Sequence, residues 1–388
     1  MRFEMIELIN KRPYYVCTKA MVYTCLLPKK NCPMSIFYLY STVYRLILTI
    51  PYALIILNTF LKIKNYQKAT GVNFSEELAM CCSYGGMYLT IIIFQVKHKD
   101  WLRFIDKVVD HSEFGIPPTF DEAQRNSNIV TAMMFLYAAI GVTFYALVPL
   151  FGIEECRRMN QEKHLKESCS GLPVWLPFET TNNKQLFILT FYELASSMSI
   201  CVPASSVAFM AYNSSKILIS KIDQFKALLL EALKEKDGRV LRDKLRYCVK
   251  YHNHILSLGD ELKRLVRVTV GSYGIMAALS IGGIGNQIIQ EQSARSIVHF
   301  FGFAVAAFTI CHAGQIIATE SVSIKEVIYA TDWYLCDAKT MKDIRFMLAR
   351  SQIPITLEML PLGWLNYEFF TMIMKTSYSY ITLLSKAT

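Results

Sequence analysis

Charge is scarce in this sequence, and the motifs by which metalloproteins and redox enzymes are recognised are missing. Charged residues make up 19% of the 388 residues, below the roughly 25% of a typical soluble domain. The eleven cysteines include no Cys-x-x-Cys pair, so we find no zinc or thiol-redox motif. The segment from Met1 to Lys30 has no short apolar core followed by a small-residue cleavage site, and we expect no signal peptide.

Apolar residues are abundant instead, at 53% of the chain, and they cluster into windows of about 20 residues. A helix of that length spans the roughly 30 Å hydrocarbon core of a bilayer. Seven windows are long enough, at about 36–60, 76–96, 129–151, 185–212, 266–289, 297–319 and 364–385. The sequence therefore predicts an all-α membrane protein in which residues 1–388 form one seven-helix domain.

The distribution of Lys and Arg predicts the orientation of these helices. The segments 1–35, 97–128, 213–265 and 320–363 hold about 28 of the 41 Lys and Arg residues, as expected of cytoplasmic segments. The N-terminus is then cytoplasmic and the C-terminus extracellular. The net charge of +10 is interpreted as contact with membrane lipid, and we expect no nucleic-acid partner.

Two cytoplasmic segments are predicted to form helices outside the membrane. Over 213–265 the apolar residues recur at helical spacing, and Asp237-Gly238 supplies a turn. The fourth and fifth spans should therefore continue inward as a helical hairpin. The segment 320–362 is also helical in pattern until Pro354 and Pro361 interrupt it. We interpret both segments as cytoplasmic anchor helices. The hairpin over 213–265 either packs on sister subunits or presents a solvated Lys- and Arg-rich face near anionic lipid, and the sequence leaves both open.

The only sizeable outer loop, 152–184, carries Cys156 and Cys169. These form a disulfide if the loop is extracellular, and otherwise they are two free thiols; the sequence leaves both open. The loop has the composition of an irregular structure that covers the fourth and neighbouring helices. Asn73 begins a glycosylation sequon on the predicted outer side, so close to the membrane that its use stays open.

Polar residues inside the spans are few. Glu193 is the one clear acidic residue deep in a span, and without a paired carboxylate we expect neither enzymatic activity nor a cofactor. His299 and His312 are interpreted as hydrogen-bonded histidines of the bundle interior. His252 and His254 are two residues apart and point to different faces of a helix, so no metal site is predicted there.

The last span differs from the others because its second half combines hydroxyl groups with Lys375. Each polar group left unpaired in hydrocarbon costs several kcal/mol, so a helix that faces only lipid would not carry them. Thr376, Tyr380 and Leu383 are spaced i, i+4 and i+7 and form one stripe. The pattern favours a helix that lines a pore or the core of a bundle.

The C-terminal third resembles the insect odorant receptor family. The motifs that carry the resemblance are Cys311-His312-Ala313-Gly314-Gln315, Tyr329 four residues before Trp333, Ala349-Arg350-Ser351-Gln352 with Pro354, and the closing Lys375-Thr376-Ser377-Tyr378-Ser379-Tyr380 with Leu383-Leu384. The resemblance is strong over about 250–388 and weak before that. The loop between the fourth and fifth spans is short, so the chain looks like an odour-tuned subunit and not like the co-receptor.

The resemblance implies a subunit of a ligand-gated, non-selective cation channel, a heterotetramer with the odorant receptor co-receptor. It implies the plasma membrane, in dendrites of olfactory sensory neurons, as the location. The last helix would line the pore, with a gate near Leu383 and its neighbours Tyr380 and Leu384. Lys386 then faces either the pore or the lipid headgroups.

A small volatile odorant would bind in an apolar pocket in the outer halves of the second, third, fourth and sixth spans, with part of the fifth. Such a ligand binds mainly by burial of apolar surface. The candidate residues are Tyr84, Met87, Tyr88, Tyr137, Ile140, Phe144, Phe191, Tyr192, Ala195, Met198, Tyr273 and Met276.

The alternative is a metabotropic, G-protein-type seven-helix chemoreceptor, which has the same number of spans. The Lys and Arg distribution opposes it, because it places the C-terminus outside. The sequence also has no Asp-Arg-Tyr triplet after the third span and no Asn-Pro-x-x-Tyr in the seventh.

Overall fold

The computed structural model describes residues 14–28, 32–65, 75–162, 168–177, 182–291, 294–359 and 363–387. Its helices are α1 (Tyr15–Tyr23), α2 (Met34–Asn65), α3 (Ser75–Val109), α4 (Phe120–Leu147), α5 (Ile153–Glu162), α6 (Asn183–Leu233), α7 (Gly238–Thr269), α8 (Gly271–Glu291), α9 (Ala294–Val322), α10 (Ile324–Tyr329), α11 (Ala338–Ser351) and α12 (Tyr367–Ala387). Short 3₁₀ turns lie at Val148–Gly152 and Trp333–Leu335, and the strands β1 (Glu358–Met359) and β2 (Gly363–Trp364) pair antiparallel.

Helices α2, α3, α4, α6, α8, α9 and α12 form the main part of the seven predicted spans. The third predicted span runs past the end of α4, and the fifth and seventh begin before α8 and α12. Among the described residues, five helical stretches are long and apolar enough to cross a membrane: Ser35–Lys64, Glu76–Val109, Phe120–Arg158, Asn183–Leu233 and Ala294–Tyr329. The apolar part of α8, Met276–Ile289, is shorter, and α12 has 21 residues but carries the hydroxyl groups and Lys375. The protein is an all-α, seven-helix membrane protein, as predicted.

The cytoplasmic hairpin forms around Asp237. Helix α6 runs for 51 residues to Leu233, and the Asp237 carboxylate accepts a hydrogen bond from the Arg239 amide (2.8 Å) at the start of α7. This is a side-chain cap of a helix N-terminus. The fifth span was expected to continue unbroken from the inner helix, but Val270 separates α7 from α8.

The helical pattern predicted after the sixth span is formed by separate helices. Helix α9 ends at Val322, and α10 and α11 follow as separate pieces; Asp337 caps α11 by accepting from the Thr340 amide (3.3 Å). The β1–β2 pair then occupies the stretch where we expected the last span to begin. Gly363 has a φ of +115°, a conformation available to glycine and costly for other residues.

Helix α12 consequently begins at Tyr367, later than the expected start near residue 364. The side chain of Asn366 accepts a hydrogen bond from the Phe369 amide (2.7 Å), which satisfies a donor of the first turn. Of the four strand residues, Trp364 at the end of β2 lies within the predicted window, and hydropathy alone did not separate this residue from the helix.

Helix α6 is the centre of the bundle. Of its apolar window, 67% is buried within the protein, whereas the corresponding share for α2 and α4 is 11%. Those two helices therefore present most of their surface outward, toward lipid. Helix α8 lies between α3 and α12, and the close approach on both sides uses glycine: Gly283 meets Ala79 of α3, and Gly282 meets Tyr380 of α12.

Candidate ligand-binding cavity

A cavity of about 130 Å³ lies between α3, α4, α6 and α9. An engineered apolar protein cavity of about 150 Å³ binds benzene, so this volume suits a small organic molecule. Most of the wall is apolar or aromatic. Its main residues are Met80, Tyr84 and Met87 of α3, Met134, Tyr137 and Tyr145 of α4, Ala204 and Phe209 of α6, and Val298, His299 and Phe303 of α9, with Leu172 from the outer loop.

A few polar groups interrupt the apolar wall. The hydroxyls of Tyr84 and Ser197 are hydrogen-bonded (2.6 Å), and Ser197 Oγ donates to the Glu193 carbonyl (2.8 Å). Among the described residues, Ser83 Oγ and His299 Nδ1 are buried and have no hydrogen-bond partner. An unpaired polar atom in an apolar wall is a point where a ligand group gains a hydrogen bond, and it orients the ligand.

The two span histidines have different environments. His312 Nδ1 is hydrogen-bonded to the Tyr367 hydroxyl (2.8 Å), as expected. The His299 ring instead meets the edges of Tyr145 (5.5 Å between centroids) and Phe303 (5.3 Å), and it lines the cavity. The expectation that both are hydrogen-bonded interior histidines is therefore wrong for Nδ1 of His299.

Three of the twelve predicted ligand residues, Tyr84, Met87 and Tyr137, line the cavity. Four others are exposed on the outside of the bundle and do not line it: Ile140, Phe144, Phe191 and Ala195. Ile140 and Phe191 have 61% and 60% of their surface exposed, which is the expected state of a lipid-facing side chain. Lipid-facing and cavity-facing aromatics have the same hydropathy, so the sequence pattern did not distinguish the two faces of α4 and α6.

Four of the remaining five predicted ligand residues, Tyr88, Tyr192, Met198 and Met276, are not part of the cavity wall. Tyr88 stacks on Tyr52 of α2 (5.3 Å), and the Tyr192 hydroxyl donates to the Ile47 carbonyl of α2. Met198 is half-buried and lies outside the wall. Met276 packs against Gly86, and the side chain of Tyr273 lies outside the described residues.

The wall residues on α6 were missed by the sequence reasoning. Glu193, Ser197, Cys201 and Ala204 follow at i, i+4, i+8 and i+11 and line the cavity together. A stripe of polar and small residues on an otherwise apolar membrane helix indicates the face that packs inward. That signal was present in the sequence and would have identified this face.

An ion pair lies at the outer ends of α3 and α9. Glu76 Oε1 accepts hydrogen bonds from Arg295 (3.1 Å) and from the Tyr145 hydroxyl (2.8 Å). The Arg295 guanidinium also lies 5.2 Å from the centre of the Tyr145 ring, an arrangement in which cation and ring attract each other. Since Tyr145 lines the cavity, this group joins three helices directly above it.

The predicted pore stripe on α12 divides between two environments. Thr376 is exposed, with Lys375 and Ser379 beside it, whereas the Tyr380 ring packs against Gly282 of α8. The buried Ser377 donates a hydrogen bond to the Ala278 carbonyl of α8 (3.1 Å). One face of α12 is thus attached to its own subunit and the opposite face is open. The side chains of Leu383, Leu384 and Lys386 lie outside the described residues.

In the outer loop, Cys156 and Cys169 form a disulfide with 5.8 Å between their Cα atoms. This resolves the alternative that the sequence left open. Asn73 of the predicted sequon lies outside the described residues.

At the cytoplasmic end, His252 stacks on Phe225 (5.0 Å between ring centroids) and is 4% exposed. Burial lowers its pKa to about 4, because the apolar surroundings disfavour the charged imidazolium. Within the described residues, we find no group of three or more His, Cys, Asp or Glu side chains that is placed to hold a metal ion.

Residues 70–378, most of the chain, match the family model described as 7tm Odorant receptor. The chain belongs to the insect odorant receptor family. Odorant receptor 22c of Drosophila melanogaster is 29% identical over 159 residues, which are 40% of this chain and 39% of that receptor. Putative odorant receptor 92a of the same species is 22% identical over 309 residues, 74% of this chain and 73% of that one.

The fold of this odorant receptor is similar to that of solved insect receptors. The structure of the insect olfactory receptor OR5 from Machilis hrabei in complex with eugenol superposes with a TM-score of 0.79 over 99% of each chain, at 12% identity. A second structure of the insect olfactory receptor OR5 from Machilis hrabei gives a TM-score of 0.76 over 99% of this chain, at 13% identity. At this level of identity the likeness concerns the fold.

Proposed function

We propose that this receptor is the odour-tuned subunit of a ligand-gated, non-selective cation channel, and that a small volatile odorant binds in the cavity between α3, α4, α6 and α9. The observation that carries the proposal is the cavity itself: it is largely apolar, lies inside the helix bundle and contains a few unpaired polar atoms. Volatile molecules have few polar groups, so burial of apolar surface supplies most of their binding free energy.

Helix α8 connects this cavity with α12. One face of α3 lines the cavity, and the other packs on α8, where a Cβ at Gly86 would lie 2.6 Å from Met276 and Gly283 meets Ala79. The opposite face of α8 packs on α12 through Gly282. A close-packed interface transmits displacement because it has few voids to absorb it. Odorant binding that moves α3 therefore displaces α12.

The open face of α12 lines the pore in this proposal. Thr376, with its hydroxyl-bearing neighbours, turns away from its own subunit, and such groups favour contact with water over lipid. A ring of Leu383 side chains near the outer end closes the pore by dewetting, and outward movement of α12 wets it. The N-terminus is cytoplasmic and the C-terminus extracellular, in the plasma membrane of the sensory dendrite.

Exposed apolar residues on the cytoplasmic elements support assembly into a tetramer with the co-receptor. Leu335 and Phe346 are 75% and 67% exposed, and Tyr334 and Ile353 are each 59% exposed. They follow α10 or lie on and after α11, away from the apolar windows of the spans. Large exposed apolar residues outside the bilayer mark surfaces that associate with other proteins, and sister subunits are the natural occupants.

The test is to express the chain with the co-receptor and record whole-cell current during odorant application while G-protein signalling is blocked. A ligand-gated channel gives a current that persists under the block. A metabotropic receptor gives one that disappears, and accessibility of a C-terminal epitope from the cytoplasm alone would support the same alternative. Silence across a broad odorant panel, with the receptor shown at the surface, would contradict the proposal.

A further inference from the structure

The outer loop enters the helix bundle instead of covering its surface. Ser168, Ser170, Leu172 and Val174 are each less than 9% exposed, and Leu172 reaches the wall of the cavity. Loops usually run over the surface, because a buried loop carries backbone groups that have no water to bind. A loop at this depth needs hydrogen-bond partners from the helices around it.

Glu193 of α6 provides those partners. It lies about 15 Å along the helix axis from Asn183, the first residue of α6. Its Oε1 accepts a hydrogen bond from Ser170 Oγ (2.8 Å), and its Oε2 accepts one from the Leu172 amide (3.2 Å). Glu193 is fully buried, and no Lys or Arg within the described residues forms an ion pair with it.

A buried carboxyl group without hydrogen-bond partners costs considerable desolvation free energy. The described hydrogen bonds to the Glu193 carboxylate all come from the loop, so holding the loop is its evident role. The loop also packs closely against α4, because a Cβ atom added at Gly171 would lie 2.8 Å from the Cα of Ala146. The loop backbone therefore fills the gap between α4 and α6, at the outer end of the cavity.

Further contacts hold the two ends of this segment. The Cys156–Cys169 disulfide joins its beginning to α5, and Cys169 has a φ of +51°, which is uncommon for a residue with a side chain. At the other end, Asn58 of α2 donates to the Pro173 carbonyl (3.0 Å) and the Trp175 amide donates to the Leu54 carbonyl (3.3 Å). The two ends are anchored, and Glu193 holds the middle.

We propose that residues 168–174 form a lid over the cavity, that Glu193 latches this lid shut, and that odorant enters and leaves past it from the outer side. Glu193 thus acts as a positioning residue, which sets the rate of ligand exchange through the loop. The inference rests on the proposed function for the identity of the ligand, but the closure of the cavity can be tested without a current.

Cys201 supplies the probe, because its thiol is free and it lines the cavity. A positively charged, membrane-impermeant methanethiosulfonate is applied from outside to the chain in cells, and the labelled fraction of Cys201 is followed over time by mass spectrometry. We expect Glu193→Gln to speed labelling about tenfold, since a buried donor that loses its acceptor shifts an equilibrium by about that factor. Glutamine keeps the shape but loses one acceptor oxygen.

Glu155→Gln on α5 is the matched control, because Glu155 is exposed and pairs with Arg158. It should label at the wild-type rate, and Cys201→Ser should abolish the signal assigned to the cavity. Ser170→Ala removes one hydrogen-bond donor and leaves the Glu193 side chain in place, so it should accelerate labelling less than Glu193→Gln does. It replaces Glu193→Gln in the test if that variant fails to reach the cell surface. Labelling of both latch variants within twofold of wild type would overturn the lid.

Odorant-evoked currents give the second readout. If the lid controls exchange, Glu193→Gln shortens both the rise of the current and its decay after washout by a similar factor, with the equilibrium response changed less. Faster labelling of the Glu193→Gln variant, together with no odorant-evoked current from the wild-type receptor, would support the lid and contradict the channel proposal. A normal wild-type current with unchanged kinetics in Glu193→Gln would contradict the lid alone.

Discussion

The ring of Tyr380 in α12 occupies the space beside Gly282 of α8 that a side chain at position 282 would need. Three residues further along α8, Gly285 receives Ile381 in the same way. Small residues at such positions let two membrane helices approach closely. This contact attaches the hydroxyl-rich last helix to α8, whose other side packs on the cavity helix α3.

Replacing Gly282 with Val should uncouple the odorant cavity from α12. Overpacking a close interface costs about 1–3 kcal/mol, so we expect the maximal odorant-evoked current to fall about five- to hundredfold at equal surface expression. Gly152→Val is the control, because a side chain there meets nothing within 4 Å. Equal currents from the two variants would show that the α8–α12 contact does not transmit gating.

Filling the cavity should block odorant binding. Ala204 lines the cavity and Ala195 lies on the exposed surface of the same helix. We expect Ala204→Phe to raise the half-maximal odorant concentration at least about tenfold, equal to about 1.4 kcal/mol, and Ala195→Phe to leave it unchanged. The concentration–response curves of the two variants decide this, and the reverse order would place the odorant site at the sequence-predicted face.

Neighbouring residues of α12 should differ in their access to the pore. Thr376 is exposed, whereas Ser377 is 1% exposed and packs on α8. In a Cys201→Ser background, a methanethiosulfonate applied to open channels should reduce the current of Thr376→Cys and spare that of Ser377→Cys. Inhibition of Ser377→Cys alone would show that the pore-lining face of α12 is the side that packs against α8 in this structure.

Leu383 is expected to form the hydrophobic gate. Truncation to alanine widens and partly wets a dewetted constriction, so Leu383→Ala should raise the basal current recorded without odorant or alter its rectification. Leu365→Ala is a comparable truncation outside the proposed pore, since Leu365 is buried next to Gly314. If the Leu383→Ala channel gates and conducts as the wild type does, Leu383 does not form the gate.

Stability should fall in acid partly because of His252, whose pKa is about 4 in the folded protein and about 6.5 in an unfolded chain. Between these values the unfolded chain binds a proton that the folded protein does not, so stability decreases as the pH drops from 6.5 to 4. The loss approaches about 3 kcal/mol at pH 4. His252→Phe, which keeps the stacking on Phe225, should flatten the thermal stability of the detergent-solubilised protein over this range. If thermal stability decreases equally steeply with falling pH in both proteins, His252 is not a cause of the acid destabilisation.

The helices of this receptor were largely predictable because their causes are local. Apolar windows of spanning length and the turn at Asp237-Gly238 depend on neighbours in sequence, and the family motifs lie within about 140 contiguous residues. The same locality explains two misses. The interruption at Val270 falls inside an apolar window, where hydropathy does not distinguish a continuous helix from a broken one. The β1–β2 pair lies at the start of the last window, near residue 364, where hydropathy does not mark the first helical residue.

The cavity was decided by the tertiary structure. Lipid and the cavity are both apolar environments, so the helical periodicity of apolar residues does not reveal which face of a helix contacts lipid and which lines the cavity. On α4, Tyr137 lines the cavity, while Ile140, about one turn later, does not and is 61% exposed. The lid is tertiary for a different reason. Ser170 and Leu172 contact Glu193 only because the loop folds back into the bundle. No periodic pattern in the sequence predicts this contact between the loop and α6. By itself, the sequence determined seven helices, the turn at Asp237-Gly238 and the family. The packing of the helices determined which of their faces are in contact.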